Sequence, residues 1–303
     1  MTTELTGPES PGSPEGGVVH GPTASWRLTF SSFVENKLAV AGAVIVVFFI
    51  AFCFLGPLVY HTNQTTTTVI NAFDGPGRGH PLGTDSAGFD ELGRIMLGGQ
   101  SALEIGLLSS LIATVIGTLV GAIAGLIGGI VDAILMRLVD VLLSVPLLFV
   151  VLIVSARYGA TVFRLSLIIG GFSWLSSARL VRGEVLTLRV RDFVLAARTM
   201  GASSSRLMYK HLVPNSLGVV IVNVTFQVAD AINLLAVLGF LGFGLNYPQV
   251  DWGDMLSNAL DYLQDGYWWL VYPVGVCLVL VVMAFNFLGD ALRDSVDVRL
   301  RRR

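Results

Sequence analysis

Six stretches of this chain stay apolar for about the 20 residues that a helix needs to cross a hydrocarbon core. They run roughly from Leu38 to Tyr60, Leu103 to Ile127, Ile134 to Val154, Val162 to Leu180, Leu217 to Leu238 and Trp268 to Leu288. Inside lipid every backbone N–H and C=O must be satisfied within its own segment, so runs of this kind are helices. The fourth is the most diluted, by Arg164, Ser173, Ser176 and Ser177. Composition agrees: 53% of the 303 residues are apolar, 13% are charged, and mean hydropathy is +0.74. A soluble protein of this size could not cover its surface with so few charges. The expected fold class is an all-α membrane protein with six transmembrane helices.

The placement of Lys and Arg orients such a chain, because cytoplasmic segments hold the excess. With both N- and C-termini cytoplasmic, 15 of the 19 basic residues fall inside, seven of them between Arg179 and Lys210. Arg78, Arg94, Arg157 and Arg164 remain outside. Residues 1–30, rich in Pro, Gly and Ser, read as a disordered cytoplasmic tail. They lack the basic and apolar regions of a cleavable leader. Residues 31–100 then carry the first span and an external loop (Val59 to Gln100). Residues 101–303 form the transmembrane core, with a cytoplasmic loop at about 179–215. A net charge of −2 gives no case for nucleic acid. Cys53 and Cys277 lie in apolar runs without metal or disulfide spacing. The four histidines are scattered and suggest neither a metal site nor a catalytic triad.

The internal loop is too long for a connector. Leu186, Val190, Phe193, Ala197 and Met200 recur at helical spacing and predict one apolar face. Gly201 breaks that pattern, Ala202 follows, and Ser203 to Ser205 offer N-caps for a second short helix that includes Arg206. Pro214 is expected to end it. The prediction is a helix–glycine–helix elbow on the cytoplasmic face. An amphipathic helix lying on anionic headgroups would show the same periodicity.

The segment LAARTMGASSSRLMYKHLVP resembles the EAA signature of ABC importer permeases, with Ala196, Ala197, Gly201 and Pro214 at the matching positions and Leu195 in place of Glu. Four further segments, at His80 to Gly99, Met136 to Pro146, Phe240 to Leu256 and Phe285 to Arg301, resemble C-type permeases of the dipeptide/oligopeptide branch, whose nickel-importing relatives share them. The resemblance implies a type I importer fold in a bacterial inner membrane, with the elbow (Ala196, Ala197, Gly201, Ala202, Ser203, Arg206) coupling to ATPase subunits. It also implies a second, paralogous permease, two ATPase subunits, and an external substrate-binding protein that faces Trp252, Gly253 and Asp254. The only lysines are Lys37 and Lys210, and no Gly-x4-Gly-Lys-Ser/Thr occurs. A P-loop needs that lysine beside the phosphates. The expectation is therefore a non-catalytic subunit with no cofactor of its own, ATP and Mg being bound by its partners.

Polar residues at bilayer depth are functional candidates by default. Asn223, Gln227 and Asp230 share one face of the fifth run. They read as the wall of a translocation path or as hydrogen-bonding contacts between helices. Arg137 and Asp140, three residues apart, predict an ion pair or snorkelling at the interface, and Pro146 a kink. Gly117, Gly121, Gly125, Gly128 and Gly129 predict close helix packing. Trp252 also fits an interfacial anchor with solvated Asp neighbours. An ion-coupled secondary carrier using Asp140 and Asp230 is a competing function, although no internal repeat supports paired halves. A membrane scaffold without transport is a third.

Overall fold

The computed structural model describes residues 36–301, and the predicted tail at 1–30 lies outside the described residues. Among the described residues the chain is all-helical, with one isolated β-bridge between Thr84 and Asp90. The principal helices are α1 (Lys37–Val59), α2 (Glu91–Ile127), α3 (Gly129–Leu143), α4 (Leu147–Tyr158) and α5 (Val162–Leu188). Two short helices follow, α6 (Asp192–Thr199) and α7 (Ser204–Leu207). Then come α8 (Val213–Phe240), α9 (Trp252–Leu260) and α10 (Tyr272–Arg301).

Helix starts follow the side chains that can satisfy free N–H groups. Asn36 caps α1 by accepting from Leu38 N, and Asp90 caps α2 by accepting from Gly93 N at 2.8 Å. That cap starts α2 at Glu91 rather than near Leu103. Its 37 residues then extend roughly 55 Å at ~1.5 Å per residue, well beyond a ~30 Å hydrocarbon core.

α2 and α5 form the most extensive helix pair. Gly117, Gly121 and Gly125 permit it. A Cβ at Gly121 would lie 2.9 Å from Val181 Cβ, and one at Gly125 would lie 2.8 Å from Val185 Cγ1. Gly128 and Gly129, expected in that packing stripe, do something else. Their φ values of +69° and +57° turn the chain from α2 into α3. Pro146 stands at the break where α3 and α4 meet at 67°.

By length and composition α1, α2, the continuous helical run Ser204–Phe240 and the run Trp268–Ser295 can each cross a membrane, and the bent α3–α4 pair would be a fifth. α5 does not qualify, because Arg164, Arg179, Arg182 and Glu184 lower its apolarity. Two apolar cores sit at opposite ends of the bundle. One, around Ile95, Leu103, Ile232, Leu235 and Trp252, joins α1, α2, α8, α9 and α10. The other, around Leu126, Val185, Leu188, Val194, Leu207 and Val220, lies beneath the elbow.

Candidate functional site

The elbow forms as a capped unit. α6 ends on Gly201, whose φ of +81° suits a residue without Cβ. Gly201 N donates to Arg198 O and Ala202 N donates to Ala197 O, each at 3.0 Å, which is the Schellman arrangement. Ser203 then caps α7, its Oγ accepting from Arg206 N at 3.4 Å. Pro214 does not end this helix. A π-turn at Met208–Leu212 carries the chain straight into α8, and Pro214 falls in the first turn there, where a missing N–H is tolerated.

The predicted apolar stripe is displaced. α5 stops at Leu188, and the turn before α6 shifts the helical phase. Val190, Phe193 and Met200 are consequently exposed. Val185, Leu188, Val194 and Ala197 are the buried set, packed with Leu126 of α2, Leu207 of α7 and Val220 of α8. Ala196, Gly201, Ser203 and Arg206 are exposed, Ala202 is half-buried, and Leu195 presents an apolar side chain to solvent.

Near the elbow, α5 is tied to α3 by charge. Arg182 Nη2 donates to Asp132 Oδ2 at 2.7 Å while Nε reaches Oδ1. Asp140 pairs with Arg179 of α5, not with Arg137, which is exposed. Arg189 Nη1 donates to Gly125 O at 3.0 Å. These partners lie 39 to 64 residues apart in the chain, so no local spacing could reveal them.

The polar stripe of α8 divides. Asn223 Nδ2 donates to Ser177 Oγ of α5 at 2.9 Å, and Gln227 Nε2 donates to the same hydroxyl. Gln227 is buried, with its Oε1 unpaired among the described residues, and its amide nitrogen binds a neighbouring helix. Only Asp230 is exposed.

At the opposite end the structure corrects the reading of Trp252. Its side chain is 1% exposed, and Nε1 donates to Ile95 O of α2 at 3.0 Å. Gly98 makes room for the indole, since a Cβ there would lie 2.7 Å from its ring. Gly253 is buried against the Ala236 backbone, and Asp254 is half-buried. Neither Trp252 nor Gly253 can be presented to a partner. Asp251, expected in solvent, is 1% exposed. It accepts from Asp254 N and Leu245 N, each at 2.8 Å, and so caps α9 and pins the preceding loop. Burial pushes its carboxyl above the usual range, opposed by these backbone N–H groups.

His80 does have a partner. Its Nδ1 lies 2.9 Å from Asp90 Oδ2, which also accepts from Tyr60 OH at 2.8 Å. No group of three or more His, Cys, Asp or Glu among the described residues could hold a metal ion.

Comparison with known proteins gives concordant matches. Residues 117–302 match the model for "binding-protein-dependent transport system inner membrane component", and residues 25–76 match that for the N-terminal transmembrane domain of oligopeptide transport permease C. The chain is 38% identical to the oligopeptide transport system permease protein OppC of Escherichia coli K12, covering 91% of this chain and 92% of that protein. It is 36% identical to the OppC of Bacillus subtilis, over 91% and 90%. It is 34% identical to the dipeptide transport system permease protein DppC of Alkalihalophilus pseudofirmus, over 99% and 100%.

Proposed function

Since the chain belongs to the family of binding-protein-dependent transport system inner membrane components, we propose that it is the multi-pass permease subunit of an ATP-driven importer that brings dipeptides or oligopeptides into the cytoplasm. The relatives are named for those cargoes. The chain works beside a paralogous permease and two ATPase subunits that bind ATP and Mg, and it receives cargo from an external binding protein. It crosses the membrane six times, α5 included, with both termini cytoplasmic.

One observation carries the coupling role: the buried side of the elbow, Val194, Ala197 and Leu207, packs on the ends of α2, α5 and α8. Its other side, with Leu195, Ala196 and Gly201, is free to dock. A movement of the ATPase groove is thereby delivered to three spanning helices at once, because packed cores move as units. ATP binding closes the ATPase pair and opens the spans outward, and hydrolysis resets them. Asp230, the exposed member of the α8 stripe, faces the path or the second permease. Asn223 and Gln227 hold α8 to α5. Asp140, one of the two acids that an ion-coupled carrier would use, is paired with Arg179 of α5.

The test is co-purification and cargo-stimulated ATP hydrolysis with Gly201→Trp. Nothing lies within 4 Å of a Cβ at Gly201, so the indole projects into the docking space without a clash, at the cost of local strain from the positive φ. Hydrolysis should fall while insertion is retained. Wild-type assembly and stimulation in this variant would sink the coupling role.

A further inference from the structure

Trp252 turns inward, but the same end of the bundle carries a cleft of about 330 Å³ between residues 85–94 and the segment 247–270. That is the low end of the range for small-ligand sites, roughly 300–1,000 Å³. Its lining includes Asp85, Glu91, Arg94, Tyr247, Asp261 and Tyr262. Asp85 and Glu91 share one cation, Arg94, and Asp261 has no charged partner among the described residues. Asp85 accepts from Ala87 N and Phe89 N at 2.9 Å and faces Arg94 at 3.5 Å. Arg94 is further engaged over the Phe89 ring at 5.0 Å.

Glu91 is different. It is 2% exposed, it lines the cleft, and no described residue donates a hydrogen bond to its carboxylate. Its carboxylate shares Arg94 with Asp85, and a second cation entering the cleft would serve both acids. Asp261, exposed at the C-terminal end of α9, adds a second negative charge where the carbonyls of the helix end already favour cations. Tyr247 and Tyr262 supply ring surfaces of the kind that hold ammonium and guanidinium groups.

We propose that this cleft binds the ammonium or guanidinium group of a short peptide, with Glu91 as the counter-charge at its floor and Asp261 at its rim. It is a cargo subsite at the outer end of the permease and rests on the peptide-importer reading. Small volume favours a single cationic residue over a protein surface, which would bury far more area.

The experiment titrates lysinamide, and its diacetylated form as the uncharged control, into the assembled transporter in phosphatidylcholine nanodiscs without binding protein. Saturable binding of lysinamide alone is expected. It should weaken about tenfold in Glu91→Gln, the size of losing one contact to a charge, and less in the exposed variant Asp261→Asn. Equal affinity in both variants, or equal binding of the diacetylated form, would overturn the proposal. So would a cleft that ignores lysinamide while Glu91→Gln weakens docking of the cargo-free binding protein; the socket would then belong to that protein. Peptide-stimulated ATP hydrolysis of the wild-type complex separates the two readings, because intact stimulation with no lysinamide binding removes the cleft alone.

Discussion

The two ends of the bundle treat their marked residues in opposite ways. At the elbow, Ala196, Gly201, Ser203 and Arg206 face solvent, and the residues behind them pack on three long helices. At the other end, Asp251, Trp252 and Gly253 are sealed inside. Small and polar residues in a turn look alike in sequence at both places. At one end they leave a surface clear for a partner, and at the other they let a large side chain enter the core. Substitutions should therefore damage coupling at the elbow and folding at the far end.

The largest effect is expected at Trp252. Trp252→Ala should cost about 3–5 kcal/mol, the range for deleting a buried aromatic, and also remove the hydrogen bond that ties α9 to Ile95 O of α2. A large drop in the thermal midpoint of the detergent-solubilised protein would be the signature. An unchanged midpoint with lost binding-protein affinity would reverse the contrast between the two ends.

Asp251 follows. Asp251→Ala removes the α9 cap and the Leu245 contact, about 2 kcal/mol for a buried donor pair left without its acceptor. The pH dependence has a definite sign. The folded carboxyl titrates above its unfolded value because of burial, so the folded state binds more protons between the two. Stability must fall as pH rises through that window. Asp251→Asn should remove this slope, visible as thermal midpoints less dependent on pH than those of wild type.

A smaller effect belongs to Gly201→Ala. The positive φ costs a residue with Cβ roughly 1 kcal/mol, and no neighbour is close enough to clash. Unfolding should barely shift, whereas stimulated ATP hydrolysis should drop through the distorted elbow. Equal losses in both measurements would mean that Gly201 serves folding only.

The smallest change in stability is predicted for Leu195→Ser. Exposed substitutions away from special features fall within about 0.5 kcal/mol, and Leu195 is exposed. Its readout is retention of ATPase subunits on purification, which should weaken as apolar contact is lost.

Much of this architecture was legible from local pattern. Apolar run length marked the long apolar helices other than α5, Gly201 marked the elbow, Pro146 marked the bend, and the spacing of Gly117, Gly121 and Gly125 marked a close helix pair. These are properties of a residue and its near neighbours along the chain: backbone conformation, a missing donor, a missing Cβ. The apolar stripe of the elbow failed for a related reason, because periodicity assumes an unbroken helix and the turn after Leu188 resets the phase.

What only the tertiary structure decided is which groups meet. Trp252 bonds a carbonyl 157 residues away, Arg182 takes Asp132 across 50, and Ser177 gathers Asn223 and Gln227 from another helix. Glu91 reads in sequence as an ordinary first-turn acid, and only the approach of the segment 247–270 makes it the floor of a cleft. The physical reason is range. Helix formation is set by bonds four residues apart, so sequence by itself marks most of the helices and the breaks at Gly201 and Pro146. A side chain's burial and partner depend on contacts between distant segments, which exist only once those helices have packed.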